Sequence, residues 1–166
     1  MLKGVFVVAV LTTSMILGGL LAQTTDTGAQ SPPPAAPTPF NPGIGDLMNL
    51  IVQPRHTKLW FAGREGNWVL AEYEAKELRS ALANVARARP SFRNQAVGET
   101  IQAFTSAPFM AIDAAIKDHD ATKFAEGYAS LNGGCNACHA ALSQPQVVIK
   151  VPEQPSYPDQ DFRPRN

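Results

Sequence analysis

The chain has 166 residues, 14 Lys+Arg against 14 Asp+Glu, 14 Pro and 2 Cys, with a mean hydropathy of -0.11. That length suits one domain of ordinary size, and zero formal charge argues against a nucleic-acid binder, which would show a basic excess. Two cysteines are too few for a disulfide scaffold or a four-thiolate zinc site, and a single apolar run excludes a polytopic membrane protein.

Residues 1–22, MLKGVFVVAVLTTSMILGGLLA, carry one charge, Lys3, followed by an apolar stretch. That is the build of an export signal. Residues 1–29 are therefore expected to be either a cleaved signal or a signal-anchor held in the membrane through residues 4–22. Both place the rest of the chain outside the cytoplasm. Six of the prolines fall in 31–42, so 30–43 reads as a semi-rigid proline-rich linker.

The next hundred residues hold only Pro54, Pro90 and Pro108 and show helical periodicity. A first helix over 44–62 carries Met48, Ile51, Val52, Leu59 and Trp60, with Pro54 expected to disturb it and Gly63 and Gly66 to end it. A second, 67–89, carries Trp68, Ala71, Ala75, Leu78, Leu82 and Val85 at steps of three and four, with Asn67 as N-cap and Pro90 beyond its end. A third, 97–118, carries Val97, Ile101, Phe104, Ile112 and Ile116, with Pro108 implying a kink. A fourth, 121–143, carries Phe124, Tyr128, Leu131, Cys135, Cys138 and Leu142 behind an Asp120 N-cap. No strand-rich stretch is visible inside 43–144. Short connections favour antiparallel neighbours, so residues 44–143 are expected to form an all-α, up-down four-helix bundle. The tail, 144–166, should lie extended across it.

The chemistry lies in Cys135-Asn136-Ala137-Cys138-His139. C-x-x-C-H is the attachment signal for a c-type haem. Two thiols three residues apart project from one side of a helical turn, and each can add to a haem vinyl group. The adjacent His139 then offers its imidazole to the iron. Gly133 and Gly134 are expected to let the porphyrin edge approach the backbone. The competing chemistries are weaker. A structural disulfide is open to any exported Cys pair. A thioredoxin-like pair should start a helix after a strand. Zinc would need ligands that only His56 and His119 remain to supply.

A haem motif on the last of four helices resembles the class II c-type cytochromes, the cytochrome c-prime and low-spin cytochrome c-556 group. The resemblance covers about 43–143. It implies one covalent haem c in a four-helix bundle, with His139 as proximal ligand. It also implies either a first-helix Met ligand or an apolar residue that leaves the iron open. The chain departs from that group at Ser143, where a basic residue is usual, and in its proline-rich tail. For the sixth ligand the first helix offers His56 and Met48. The resemblance favours Met48, whereas local chemistry prefers His56, because a buried imidazole without a role is costly. Met110 reads as core, and His119, between two aspartates, as loop.

The expected function is a periplasmic mono-haem cytochrome carrying single electrons between periplasmic redox proteins, with no nucleic-acid partner. The alternative is a five-coordinate haem protein that binds NO or CO. No catalytic acid, base or nucleophile arrangement is visible, so no enzyme is expected. Monomer and homodimer are both open. Arg79, Arg87, Arg89 and Arg93 against Glu72, Glu74 and Glu77 form a charge asymmetry able to orient a partner, although such runs are commonly a solvated face.

Overall fold

A computed structural model describes residues 40–165. The expected signal or signal-anchor, and the linker up to residue 39, lie outside the described residues. The described part is mostly helical. The first helical run is continuous: α1 (Ile44–Leu47), a π segment (Met48–Val52) and α2 (Gln53–Arg64). Then follow α3 (Trp68–Ala88), β1 (Ser91–Phe92), β2 (Gln95–Ala96), α4 (Val97–Asp118) and α5 (Ala121–Ala141). No helix among the described residues is long and apolar enough to cross a membrane.

The expected caps form. Asn67 accepts from the Leu70 amide at 3.2 Å and Asp120 from the Lys123 amide at 3.0 Å, each satisfying a donor left over by the first helical turn. Pro54 does not break the first helix. It has no N–H to give, and the ladder slips instead to the Gln53 amide donating to the Met48 carbonyl, five residues back. The Arg55 guanidinium covers the Ile51 carbonyl at 3.0 Å. A π turn just before a proline is thus a local repair of the lost hydrogen bond.

Pro108 likewise sits inside an unbroken α4. It cannot donate to the Phe104 carbonyl, and that freed oxygen turns toward α5 at Gly134. A Cβ on Gly134 would stand 2.2 Å from it. Gly134 therefore serves close helix–helix approach, with a Cα–H facing a carbonyl. Gly133 faces open space.

The stripes pack as their periodicity implies. Ala71, Ala75, Leu78, Leu82 and Val85 of α3, Val97, Ile101, Ile112 and Ile116 of α4, and Phe124, Tyr128, Leu131 and Cys138 of α5 are buried in one core. Consecutive helices pack on one another, and α2 also touches α5. Met110 is the exception, 72% exposed instead of in the core.

The small hairpin is the departure from an all-helical reading of 43–144. Ser91 pairs with Ala96 and Phe92 with Gln95. Arg93 and Asn94 turn the corner at φ 50° and 64°, the left-handed pair that a two-residue hairpin requires. Arginines brace this end of the molecule: Arg89 Nε donates to the Pro42 carbonyl at 2.9 Å and Arg93 to the Ser143 carbonyl at 3.3 Å. Arg79 pairs with Asp113. Three of the four arginines in the expected charge asymmetry are therefore tied to backbone or to an acid.

Candidate functional site

Cys135, Cys138 and His139 lie in the last two turns of α5. Neither cysteine is in a disulfide; Cys138 is buried and Cys135 half-buried. Burial, with a smaller contribution from Cys138, pushes the Cys135 thiol up to about 11, and burial also raises Cys138. Both thiols are therefore neutral S–H groups at ordinary pH.

His139 Nδ1 lies 2.8 Å from the Val147 carbonyl oxygen. A carbonyl can only accept, so Nδ1 carries the proton, and in the neutral ring the lone pair is left on Nε2. Nε2 has no hydrogen-bond partner among the described residues. A histidine that ligates a metal through one nitrogen commonly gives its other N–H to a backbone carbonyl in this way.

His56 is buried and engaged at both nitrogens. Nε2 is 2.7 Å from Asn132 Oδ1, and Nδ1 is 2.9 Å from the Tyr128 hydroxyl, which also reaches the His56 carbonyl at 2.8 Å. With Nε2–H donating to Asn132, the single Tyr128 hydroxyl proton is shared between the His56 carbonyl and the Nδ1 lone pair. That is a neutral ring, and desolvation by burial holds its pKa below 6.5. Burial, with Cys135 as a second cause, also raises Tyr128.

These contacts set the register between the first helix and α5. Gly63 meets Phe124, Trp60 meets Phe124 and Tyr128, and His56 meets Tyr128 and Asn132. Rising numbers on one helix meet falling numbers on the other. His56 is thus level with Asn132, seven residues before His139, about 10 Å along a helix. Met48 lies eight residues before His56 on the same helical run, in the π segment. His56, preferred on sequence grounds as sixth ligand, is engaged at both ring nitrogens. The buried imidazole already has a role, in a hydrogen-bonded trio with Tyr128 and Asn132.

The π segment has an unusual environment. Met48-Asn49-Leu50-Ile51-Val52 is apolar at four of five positions, yet none of the five is buried, and Leu50 is 61% exposed. The segment packs on α3, while the first helix leans on α5 along α2. Met48, Ile51, Val52 and Cys135 border the core without being covered by it. A large, flat apolar group between this segment and the last turns of α5 would cover them. The donor set and the uncovered apolar surface both fit a haem held by Cys135, Cys138 and His139. A separate open groove of about 660 Å³ runs between α3 and α4, lined in part by Leu82, Ile101 and Phe109, and does not include the motif.

The tail contributes to the site in a way the sequence did not signal. Ser143, at φ 58°, reverses the chain after α5: its amide bonds the Ala140 carbonyl at 3.0 Å and the Gln144 amide the His139 carbonyl at 2.7 Å. This is a Schellman turn with serine in the left-handed position usually given to glycine. It sends 147–149 back past the motif, where Asn136 and Ile149 exchange two hydrogen bonds of 2.9 and 2.7 Å. Further on, Phe162 is buried against Phe61, ring centroids 5.7 Å apart. His119 takes the matching left-handed position after α4 and stacks on Trp68 at 5.6 Å.

Comparison with protein-family models, with curated proteins and with solved structures finds no match to the chain.

Proposed function

We propose that this chain is a mono-haem c-type cytochrome that carries single electrons between redox partners outside the cytoplasm, built as an up-down antiparallel four-helix bundle behind a proline-rich linker. The resemblance to class II c-type cytochromes rests on the terminal CNACH motif. The observation that carries the reading is the motif itself on the last helix: two cysteines outside any disulfide, followed by a histidine whose Nδ1 faces the Val147 carbonyl and whose Nε2 is left to bind.

The roles follow from the side chains. Cys135 and Cys138 would hold the haem through thioethers, each S–H adding across a vinyl C=C so that one C–S and one C–H bond replace the S–H and the C=C π bond. His139 would ligate through Nε2. Met48 would be the second protein ligand, with Ile51 and Val52 as apolar neighbours. A bound haem supplies the one-electron iron couple, and a Met/His ligand pair raises its potential. His56, Tyr128 and Asn132 hold the first helix in register without touching the iron.

The test is the visible spectrum of the purified protein, reduced, with and without CO. A low-spin spectrum that CO leaves unchanged supports the six-coordinate electron carrier. A high-spin spectrum that shifts on CO addition overturns the Met48 assignment in favour of a gas binder.

A further inference from the structure

The last two turns of α5 present His139 to whatever the motif binds, yet nothing on α5 itself fixes the imidazole. The hydrogen bond that does so comes from the tail. Val147 is eight residues further on, past the reversal at Ser143. Its carbonyl sits 2.8 Å from His139 Nδ1. Val147 is 44% and Val148 71% exposed, so side-chain packing holds this stretch weakly. The Val147 amide bonds the Gln144 carbonyl at 3.1 Å on the near side, and the Asn136 carboxamide holds the far side. Its Nδ2 donates to the Ile149 carbonyl at 2.9 Å, and its Oδ1 accepts from the Ile149 amide at 2.7 Å. Asn136 occupies a position inside C-x-x-C-H that the attachment chemistry leaves free. It lies three residues before His139 on the same helix, hence on neighbouring faces one turn apart. The two-point amide clamp and the imidazole contact are therefore one unit: Asn136 grips residue 149, and that grip presents the carbonyl of residue 147 to His139.

We propose that the returning tail is a positioning strap for His139, with Asn136 as its clamp. The strap fixes the Nδ1–H tautomer, aims Nε2 outward and makes the ring a more basic ligand. The metal-binding role of His139 rests on the function proposed above; the strap itself does not. Ser143 belongs to the same device, because the left-handed turn there is what brings the tail back. A basic side chain at that position is unnecessary once a carbonyl from the tail faces the histidine.

A basic, oriented imidazole stabilises the oxidised iron, so loosening the strap raises the reduction potential. Two variants loosen it from opposite sides. Asn136→Ala removes the clamp, and Ile149→Pro removes the amide that it accepts from. Val148→Ser, at an exposed side chain, is the control. On the reduced full-length holoprotein, the His139 Nδ1–H proton should exchange slowly with solvent in the native chain and the control. In both loosened variants exchange should speed by about tenfold or more, the worth of one hydrogen bond to a strongly polarised donor, and the potential should rise. Unchanged exchange and potential in both variants overturn the proposal. If even the native chain carries no covalent haem, the functional reading fails, and the strap is judged on the haem-free chain by ring ¹⁵N shifts at a pH where the imidazole is neutral. A native Nδ1–H tautomer that shifts toward Nε2–H in both variants supports the strap. The same tautomer mixture in all chains overturns it.

Discussion

His56 Nε2 donates to Asn132 Oδ1 across 2.7 Å, and this contact fixes the level at which the first helix meets α5. It also divides two roles that the sequence left to compete. The imidazole is buried and hydrogen-bonded at both nitrogens, and in the proposed haem protein Met48 is the remaining first-helix ligand. Met48→Ala should therefore convert a low-spin spectrum to a high-spin, CO-reactive one. His56→Ala should keep the low-spin spectrum and lower stability by about 1–3 kcal/mol, because Asn132 and Tyr128 lose a buried partner. Spectra and urea unfolding of the two variants check this. A spin change on losing His56, with none on losing Met48, would reverse the assignment.

His56 also sets a pH dependence. Burial holds its folded pKa below 6.5, so the folded ring stays neutral where the unfolded one takes a proton. Its contribution to stability is fully present above 6.5 and falls as pH drops from there toward the folded value. Glu74, raised chiefly by burial, works in the opposite sense: its contribution is lost as pH rises through its folded value. Urea unfolding at pH 7.5 and 5.5 should show a loss of stability at the lower pH that His56→Gln abolishes. An equal loss in the variant would contradict this origin.

The contact between Gly134 and the Phe104 carbonyl gives a packing test. A Cβ would stand 2.2 Å from that oxygen, so α4 and α5 would have to move apart. Gly134→Ala is expected to cost about 1–3 kcal/mol, the usual penalty of overpacking. Gly133→Ala, where a Cβ meets open space, should cost no more than the small preference of a helix for alanine allows, and should even stabilise. Equal effects at the two positions would contradict the close approach.

Much of this arrangement was legible in the sequence. Steps of three and four gave the buried faces of α3, α4 and α5, and Asn67 and Asp120 announced their helices, because both signals are local. Three features were not legible, each for a different physical reason. The prolines at 54 and 108 signalled a disturbance and a kink but not their form: a π turn before one, and a freed carbonyl facing a glycine on a neighbouring helix at the other. The hairpin at 91–96 is too short for alternation to show, and its corner is Arg-Asn instead of Asn-Gly. The partners of His56 were not legible, because Tyr128 and Asn132 lie more than seventy residues distant in sequence. The role of the tail was hidden for a related reason: a backbone carbonyl carries no sequence signature, and Val147 shows only its side chain.

Ser143 offers a stability test of the turn that carries the tail. At φ 58° a serine bears the left-handed cost that glycine avoids. Ser143→Gly should stabilise the protein by about 1 kcal/mol, read as a higher urea midpoint at unchanged slope. A lower midpoint would mean that the serine side chain holds the turn in some other way.

The proposed function stands on covalent attachment of haem at Cys135 and Cys138. The most direct measurement is acid–acetone extraction of the full-length protein, co-expressed with a haem-attachment system, followed by the absorbance of the denatured polypeptide. Haem absorbance that stays with the native polypeptide at one equivalent, and leaves it in a variant with both cysteines changed to alanine, is the predicted result. Haem that extracts fully from the native protein, or a polypeptide that never acquires it, would contradict the account.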